Sequence, residues 1–150
     1  MRRRHIVGGA AAAITAAAPA GAQQAAPAAT QKVVYHVTAD GGPDGRNWRI
    51  LLNNMENHIE AVGRGNISLV AVLNAGGLGL LRQAMTEQDM QRRITALKQA
   101  GVRFQVCRNT MRGMNLTLAD LYDAREEDVI AAGVVELVRW QQQGYAYLRP

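Results

Sequence analysis

A second cysteine is missing from this chain, and with it every chemistry that needs two. Cys107 is the only one among 150 residues, so no disulfide closes within one molecule and a thiol-redox role lacks its usual resolving partner. Metal ligands are equally scarce. Beyond residue 22 the histidines are His36 and His58, and neither an HExxH nor a CxxC occurs, so no metal site is expected. A membrane-spanning run is lacking too: the apolar stretch from Ile6 to Ala18 is mostly alanine and falls short of the roughly 20 residues a spanning helix needs, so no stable membrane anchor is expected. No full GxGxxG is present. The nearest approach, Gly76 to Gly79, is better explained by the glycine that a strand-to-helix turn requires than by phosphate binding. There is no internal repeat.

Charge of one sign is also in short supply once the first residues are set aside. The whole chain carries +5, but residues 1–22 hold three of its seventeen basic residues and none of its twelve acids. The remainder of the chain has fourteen bases against twelve acids, a net +2. The arginines are interleaved with acids rather than gathered into a stripe, and no RNA- or DNA-binding motif accompanies them, so no nucleic-acid partner is expected. Those first residues have a pattern of their own. Arg2, Arg3 and Arg4 precede an apolar stretch that reaches Ala20-Gly21-Ala22, the layout of a signal peptide with an A-x-A-like cleavage site. Arg3-Arg4-His5-Ile6-Val7 further fits twin-arginine export. The expected organisation is a signal peptide over 1–22, an Ala- and Pro-rich tether without structure over 23–31, and one folded domain over 32–150 that works in the periplasm.

Within that domain, period and punctuation predict alternating elements. Lys32–Thr38 and Ile67–Leu73 are continuous apolar runs rich in β-branched residues, which reads as strands buried on both faces. Trp48, Leu51, Leu52, Met55, Ile59 and Val62 recur at spacings of three and four, predicting an amphipathic helix from Asn47 that stops at Gly63. A turn over Asn74–Gly79, a helix over Glu87–Ala100 with Gly101 as its stop, and a strand over Val102–Cys107 come next. Asn109–Glu127 is mixed. After it come a short apolar run, Val129–Ala132, a helix over Val134–Gln143 and a last strand, Tyr145–Leu148. Strands alternating with helices imply a parallel sheet covered on both sides. Its strands then end at one edge, where ligands bind in such folds, so the loops His36–Asp44, Asn74–Leu80 and Cys107–Gly113 converge.

Cys107 stands on that edge. As a small apolar residue it could simply cap a buried strand. Against this, a lone thiol in an oxidising compartment is either intermolecular or deliberately free, and the residues around it favour its ionised form. Asn109 or Thr110 could N-cap a short helical turn through Met111 and Arg112, setting the thiol at a positive dipole end, and Arg108 and Arg112 add positive charge. His36, near the end of the first strand, is either a hydrogen-bonded core residue or a partner that donates to the sulfur or takes a proton from an incoming thiol. His58 is expected at the surface or an interface. Asp120, Asp123, Glu126, Glu127 and Asp128 read as a solvated acidic face, and Met111 and Met114 as packing residues.

The segments KVVYHVTAD, NWRILLNNMENHI and GVRFQVCRNTM and the ending AAGVVELVRWQQQGYAYLRP, in this order and spacing, resemble the DsrE/DsrF-like family of small sulfur-relay proteins. VCRNTM, Val106 to Met111, is the strongest element. The resemblance implies a three-layer αβα flavodoxin-like fold with a mostly parallel five-stranded sheet, assembly into homotrimers or homohexamers, and no organic cofactor. It also implies a cysteine that accepts sulfane sulfur as a persulfide and passes it on. Cys107 matches that cysteine and His36 a histidine often found in the first strand. Where the subgroup commonly has His-Gly after the second strand, this chain has Asn74-Ala75. The expected function is an exported sulfur carrier or sulfurtransferase-like protein with Cys107 as the reactive group, supported by His36, Arg108, Asn109, Thr110 and Arg112. The alternative is an oligomeric binding or scaffold module with an inert cysteine.

Overall fold

The computed structural model describes residues 30–150; the expected signal peptide and residues 23–29 of the expected tether lie outside the described residues. Five strands, β1 (Gln31–Val37), β2 (Ile67–Leu73), β3 (Arg103–Cys107), β4 (Val129–Ile130) and β5 (Ala146–Leu148), form one sheet in the order β4-β3-β2-β1-β5. Every pairing is parallel, so the sheet is parallel throughout. The helices are α1 (Arg46–Val62), α2 (Gly79–Gln83), α3 (Gln88–Gln99), α4 (Arg108–Gly113) and α5 (Gly133–Gln142). The fold is the three-layer α/β, flavodoxin-like arrangement.

Alternation along the strands decides which side chain meets which helix layer. Val33, Tyr35 and Val37 of β1, Leu69, Ala71 and Leu73 of β2, and Phe104 and Val106 of β3 face one way. They build the larger core with Leu52 and Met55 of α1 and Met90, Ile94 and Leu97 of α3. Val34, Val70 and Val72 face the other way, against Leu137 and Trp140 of α5 and against Tyr145. Full burial of a side chain such as Leu52 stabilises the fold by about 1.5–3 kcal/mol.

The observed elements match the expected ones to within one or two residues at each end, with short 3-10 turns added at Pro43–Gly45 and Arg64–Asn66 and larger additions in two other places. Asn74–Gly79 is more than a turn: a short 3-10 segment, Ala75–Leu78, leads directly into α2. The mixed segment resolves into α4 and two 3-10 turns, Leu118–Asp120 and Glu126–Asp128. Its acids form a largely exposed face, as expected, and several of them are also paired. Asp123 pairs with Lys98 at 3.0 Å, Glu126 pairs with Arg108 at 2.7 Å, and Asp120 caps Thr117 through both its amide and its hydroxyl at 2.8 Å. Met111 is buried in the larger core, whereas Met114 is exposed.

Gly77 has a packing role that accounts for the glycine-rich turn. A Cβ there would stand 2.0 Å from the Val37 carbonyl oxygen, so only glycine lets the exit of β2 lie against the end of β1. Gly77→Ala is expected to destabilise the domain by about 3 kcal/mol or more, read as a lowered midpoint in urea unfolding.

Candidate functional site

Cys107 closes β3 and opens α4. The sheet-side periodicity that puts Phe104 and Val106 into the larger core turns Cys107 to the α5 face, and α4 begins at the next residue. The helix start differs from the expected one. Neither Asn109 nor Thr110 is the N-cap; Cys107 is, with an extended backbone at φ −74° and ψ 117°. Asn109 and Thr110 therefore occupy the second and third helical positions, whose amides have no partner inside the helix and point toward an N-cap side chain.

A second helix start meets the same sulfur. Gly133, the first residue of α5, donates its amide to Cys107 Sγ at 3.3 Å. The thiol thus lies at the amino ends of two helices, where unpaired N–H groups and aligned peptide dipoles favour negative charge. Burial pushes the thiol up, but the Thr110 amide and hydroxyl, then the Gly133 and Asn109 amides, pull it down, and the net position is below the ordinary cysteine value. The alignment with Gly133 is the best of these; the α4 amides approach at looser geometry and close no standard cap hydrogen bond.

The expected cationic contribution is not where the stabilisation originates. Arg108 is drawn to Glu126 at 2.7 Å, and Arg112 is exposed. Neither is among the groups that lower the Cys107 thiol. The sulfur is also enclosed: Cys107 is only 4% exposed, so it is not openly reachable, and a reactant meets it only after local opening.

His36 comes to the same edge but not onto the sulfur. Its Nδ1 is 2.7 Å from the Tyr147 hydroxyl and its Nε2 is 3.0 Å from Asn74 Oδ1. Because a carbonyl oxygen only accepts, Nε2 carries the proton and donates it to Asn74, leaving Nδ1 to accept from Tyr147. Asn74 then lies against Gly133, where a Cβ would approach Asn74 Cβ and Nδ2 to 3.2 Å. The remaining link runs through Thr110, whose Oγ1 accepts the Ala75 amide at 3.0 Å. With its lone pair engaged there, the hydroxyl hydrogen is available to Cys107. Ala75 holds this posture at φ 45°, a left-handed conformation that costs an alanine about 1–2 kcal/mol. His58 lies apart on α1, bonded to Tyr35 and Gln31 at 3.0 Å each.

Asn74, Gly133 and Tyr147 were absent from the expected site. Asn74 could be noticed only as a departure from His-Gly. Gly133 acts through its amide and Tyr147 through a strand near the chain end, and neither leaves a local signal. Among the described residues no cluster of three or more histidine, cysteine or carboxylate side chains is placed to hold a metal.

Known proteins share this architecture. A family model described as the DsrE/DsrF-like family matches residues 9–150. Two solved structures share the fold. One is a protein of unknown function, MTH1491, from Methanobacterium thermoautotrophicum, with a TM-score of 0.65 and 27% identity, covering 80% of this chain and 99% of its own. The other is the ychN protein from E. coli, with a TM-score of 0.59 and 18% identity, covering 81% of this chain and 100% of its own. No curated protein matches the sequence.

The donors around the sulfur generate a titration prediction. The rate of Cys107 alkylation against pH should inflect below that of an ordinary cysteine thiol. Thr110→Val should raise the inflection, because one donor to the thiolate is lost, while Thr110→Ser should keep it. An unchanged inflection in Thr110→Val would show that the hydroxyl does not act on the sulfur.

Proposed function

This chain belongs to the DsrE/DsrF-like family, and from that premise we propose that it is an exported sulfur carrier, or sulfurtransferase-like protein, holding sulfane sulfur as a persulfide on Cys107. Membership of the family suggests sulfur relay in general. The observation that carries the finer reading is the Cys107 sulfur at the start of both α4 and α5, an arrangement that favours a thiolate and, equally, the persulfide anion formed from it. With thiosulfate as donor, the thiolate attacks the outer sulfur, a new S–S bond forms, the old one breaks, and sulfite leaves with the bonding electron pair. An acceptor thiolate then attacks the terminal sulfur of the persulfide and Cys107 departs as thiolate. Neither step needs an external oxidant or reductant, and neither needs a cofactor.

The Gly133 amide stabilises the anion through a hydrogen bond, Thr110 and Asn109 add donors at looser geometry, and His36 holds Asn74 beside Gly133. Arg108 and Arg112 remain candidates for meeting an anionic donor at the surface. Export by the twin-arginine route to the periplasm is part of the proposal and rests on the Arg3-Arg4-His5-Ile6-Val7 pattern. The 4% exposure of Cys107 favours the second reading, a binding or scaffold module with an inert thiol. Mass spectrometry separates the two. After incubation with thiosulfate or polysulfide, the carrier gains about 32 Da, lost with dithiothreitol and absent in Cys107→Ser; a module gains nothing.

Assembly belongs to the same proposal. Val134, Val135 and Val138 stand 64%, 50% and 52% exposed on the outer side of α5, and Tyr147 and Leu148 are exposed on the edge strand β5. Apolar side chains grouped in this way are suited to covering by a second copy. A homotrimer or homohexamer is expected by light scattering, and Val134→Glu with Val138→Glu is expected to shift it toward the monomer.

A further inference from the structure

A cleft at the same edge of the sheet does not include Cys107 among its lining residues. It opens at the carboxyl end of β1, between the first turns of α1 and the residues after β5, with a volume of about 170 Å³. Its place in the topology is informative. From β1 the chain leaves over one face through α1 to β2, whereas β5, the other neighbour of β1, is approached from α5 on the opposite face. Connections that part in this way leave a crevice between them, the position where open parallel sheets take their ligands.

The wall has a defined chemistry. Trp48 and Leu51 give it an apolar side, and Asn54 offers an amide. Asp40, whose carboxylate accepts the Gly42 amide at 3.1 Å, and Arg149 are its charged side chains, one of each sign, and Arg149 forms no ion pair among the described residues. A wall with one carboxylate, one guanidinium and amide groups over an aromatic surface suits a small zwitterion better than a simple anion. Trp48 is fixed in place: a Cβ on Gly41 would approach its ring to 2.6 Å and one on Gly79 to 2.4 Å.

His36 ties this cleft to the thiol. It lines the cleft and bonds to Asn74, which lies against Gly133, the donor to Cys107 Sγ. The register gives the distance. Val37 pairs with Leu73 and Leu73 with Val106, so Thr38 in the cleft, Asn74 and Cys107 come next on three adjacent strands. Two strand spacings separate the cleft from the thiol, about 10 Å.

We propose that the cleft seats the α-amino-acid end of a low-molecular-weight peptide thiol, whose persulfide meets Cys107 from there once the residues over the sulfur open locally. The proposal rests on the relay reading above and names its donor class. The Cys107 thiolate attacks the outer sulfur of R–S–SH, the S–S bond of the donor breaks, and R–S⁻ leaves with the electron pair. Cys107 becomes the persulfide, and the sum of oxidation states is unchanged.

The test separates seating from transfer. S-methylglutathione, which cannot exchange sulfur, is titrated into the full chain carrying Cys107→Ser while tryptophan fluorescence is followed. A saturable change is expected, lost in Trp48→Phe though Trp140 remains, and weakened about tenfold or more in Arg149→Ala. Glutathione persulfide should load Cys107 about tenfold more slowly in Arg149→Ala than in the unchanged protein, while loading from thiosulfate stays equal. No saturable change, or an affinity indifferent to Arg149→Ala, overturns the proposal. Loading from thiosulfate together with no binding of S-methylglutathione removes the cleft and leaves the relay standing.

Discussion

Parallel pairing in register is the constraint on which the rest of this molecule depends. With all five strands running the same way, their carboxyl ends meet at one edge, and Val37, Leu73 and Val106 stand side by side there. The residues just beyond them converge as a result: Asn74 between Thr38 and Cys107, and His36 within hydrogen-bond range of Asn74. A slip of one residue in β3 would turn Cys107 into the layer of α1 and α3. That layer is apolar, and the sulfur would lose the Gly133 amide, the contact that only the α5 face supplies.

At the thiol two effects of the same enclosure oppose each other. Burial penalises a charge, while fixed amides at two helix starts, held without reorganisation, favour it. The amides and the Thr110 hydroxyl prevail. Their positions are set by the backbone of α4 and α5, not by flexible surface cations, so the arrangement is insensitive to where Arg108 points. The strained Ala75 contributes by aiming its amide at Thr110. Among the described residues no buried side-chain nitrogen or oxygen lacks a partner, which is the condition for such a network to hold its geometry in a low-dielectric setting.

The long crossing made by α5 gives the edge its second half. By passing from β4 at one side of the sheet to β5 at the other, the chain brings Gly133 to the sulfur at the start of the helix. After the helix ends it brings Tyr147 to His36 and Arg149 to the cleft. One helix must therefore satisfy the sheet with Leu137 and Trp140 while its valines face outward. That outward face and the amide at the sulfur belong to the same element, so a change in how α5 sits would be felt at both.

Much of this was legible in the residues alone. The spacing of Leu51, Leu52, Met55 and Ile59, the apolar runs of β1 and β2 and the glycines that end the elements determine helices, strands and their alternation. Each of these signals is local, and alternation permits few sheet arrangements. Cys107 and Thr110 were legible for the same reason, since both lie in one short segment. What the chain order could not supply was which helix starts and side chains converge on them. Gly133 is 26 residues from Cys107 and Tyr147 is 111 from His36, and their proximity arises from the crossing of α5 over the sheet. Backbone amides carry no sequence signature, so the replacement of arginine charge by amide donation at the sulfur was decided only when the chain folded.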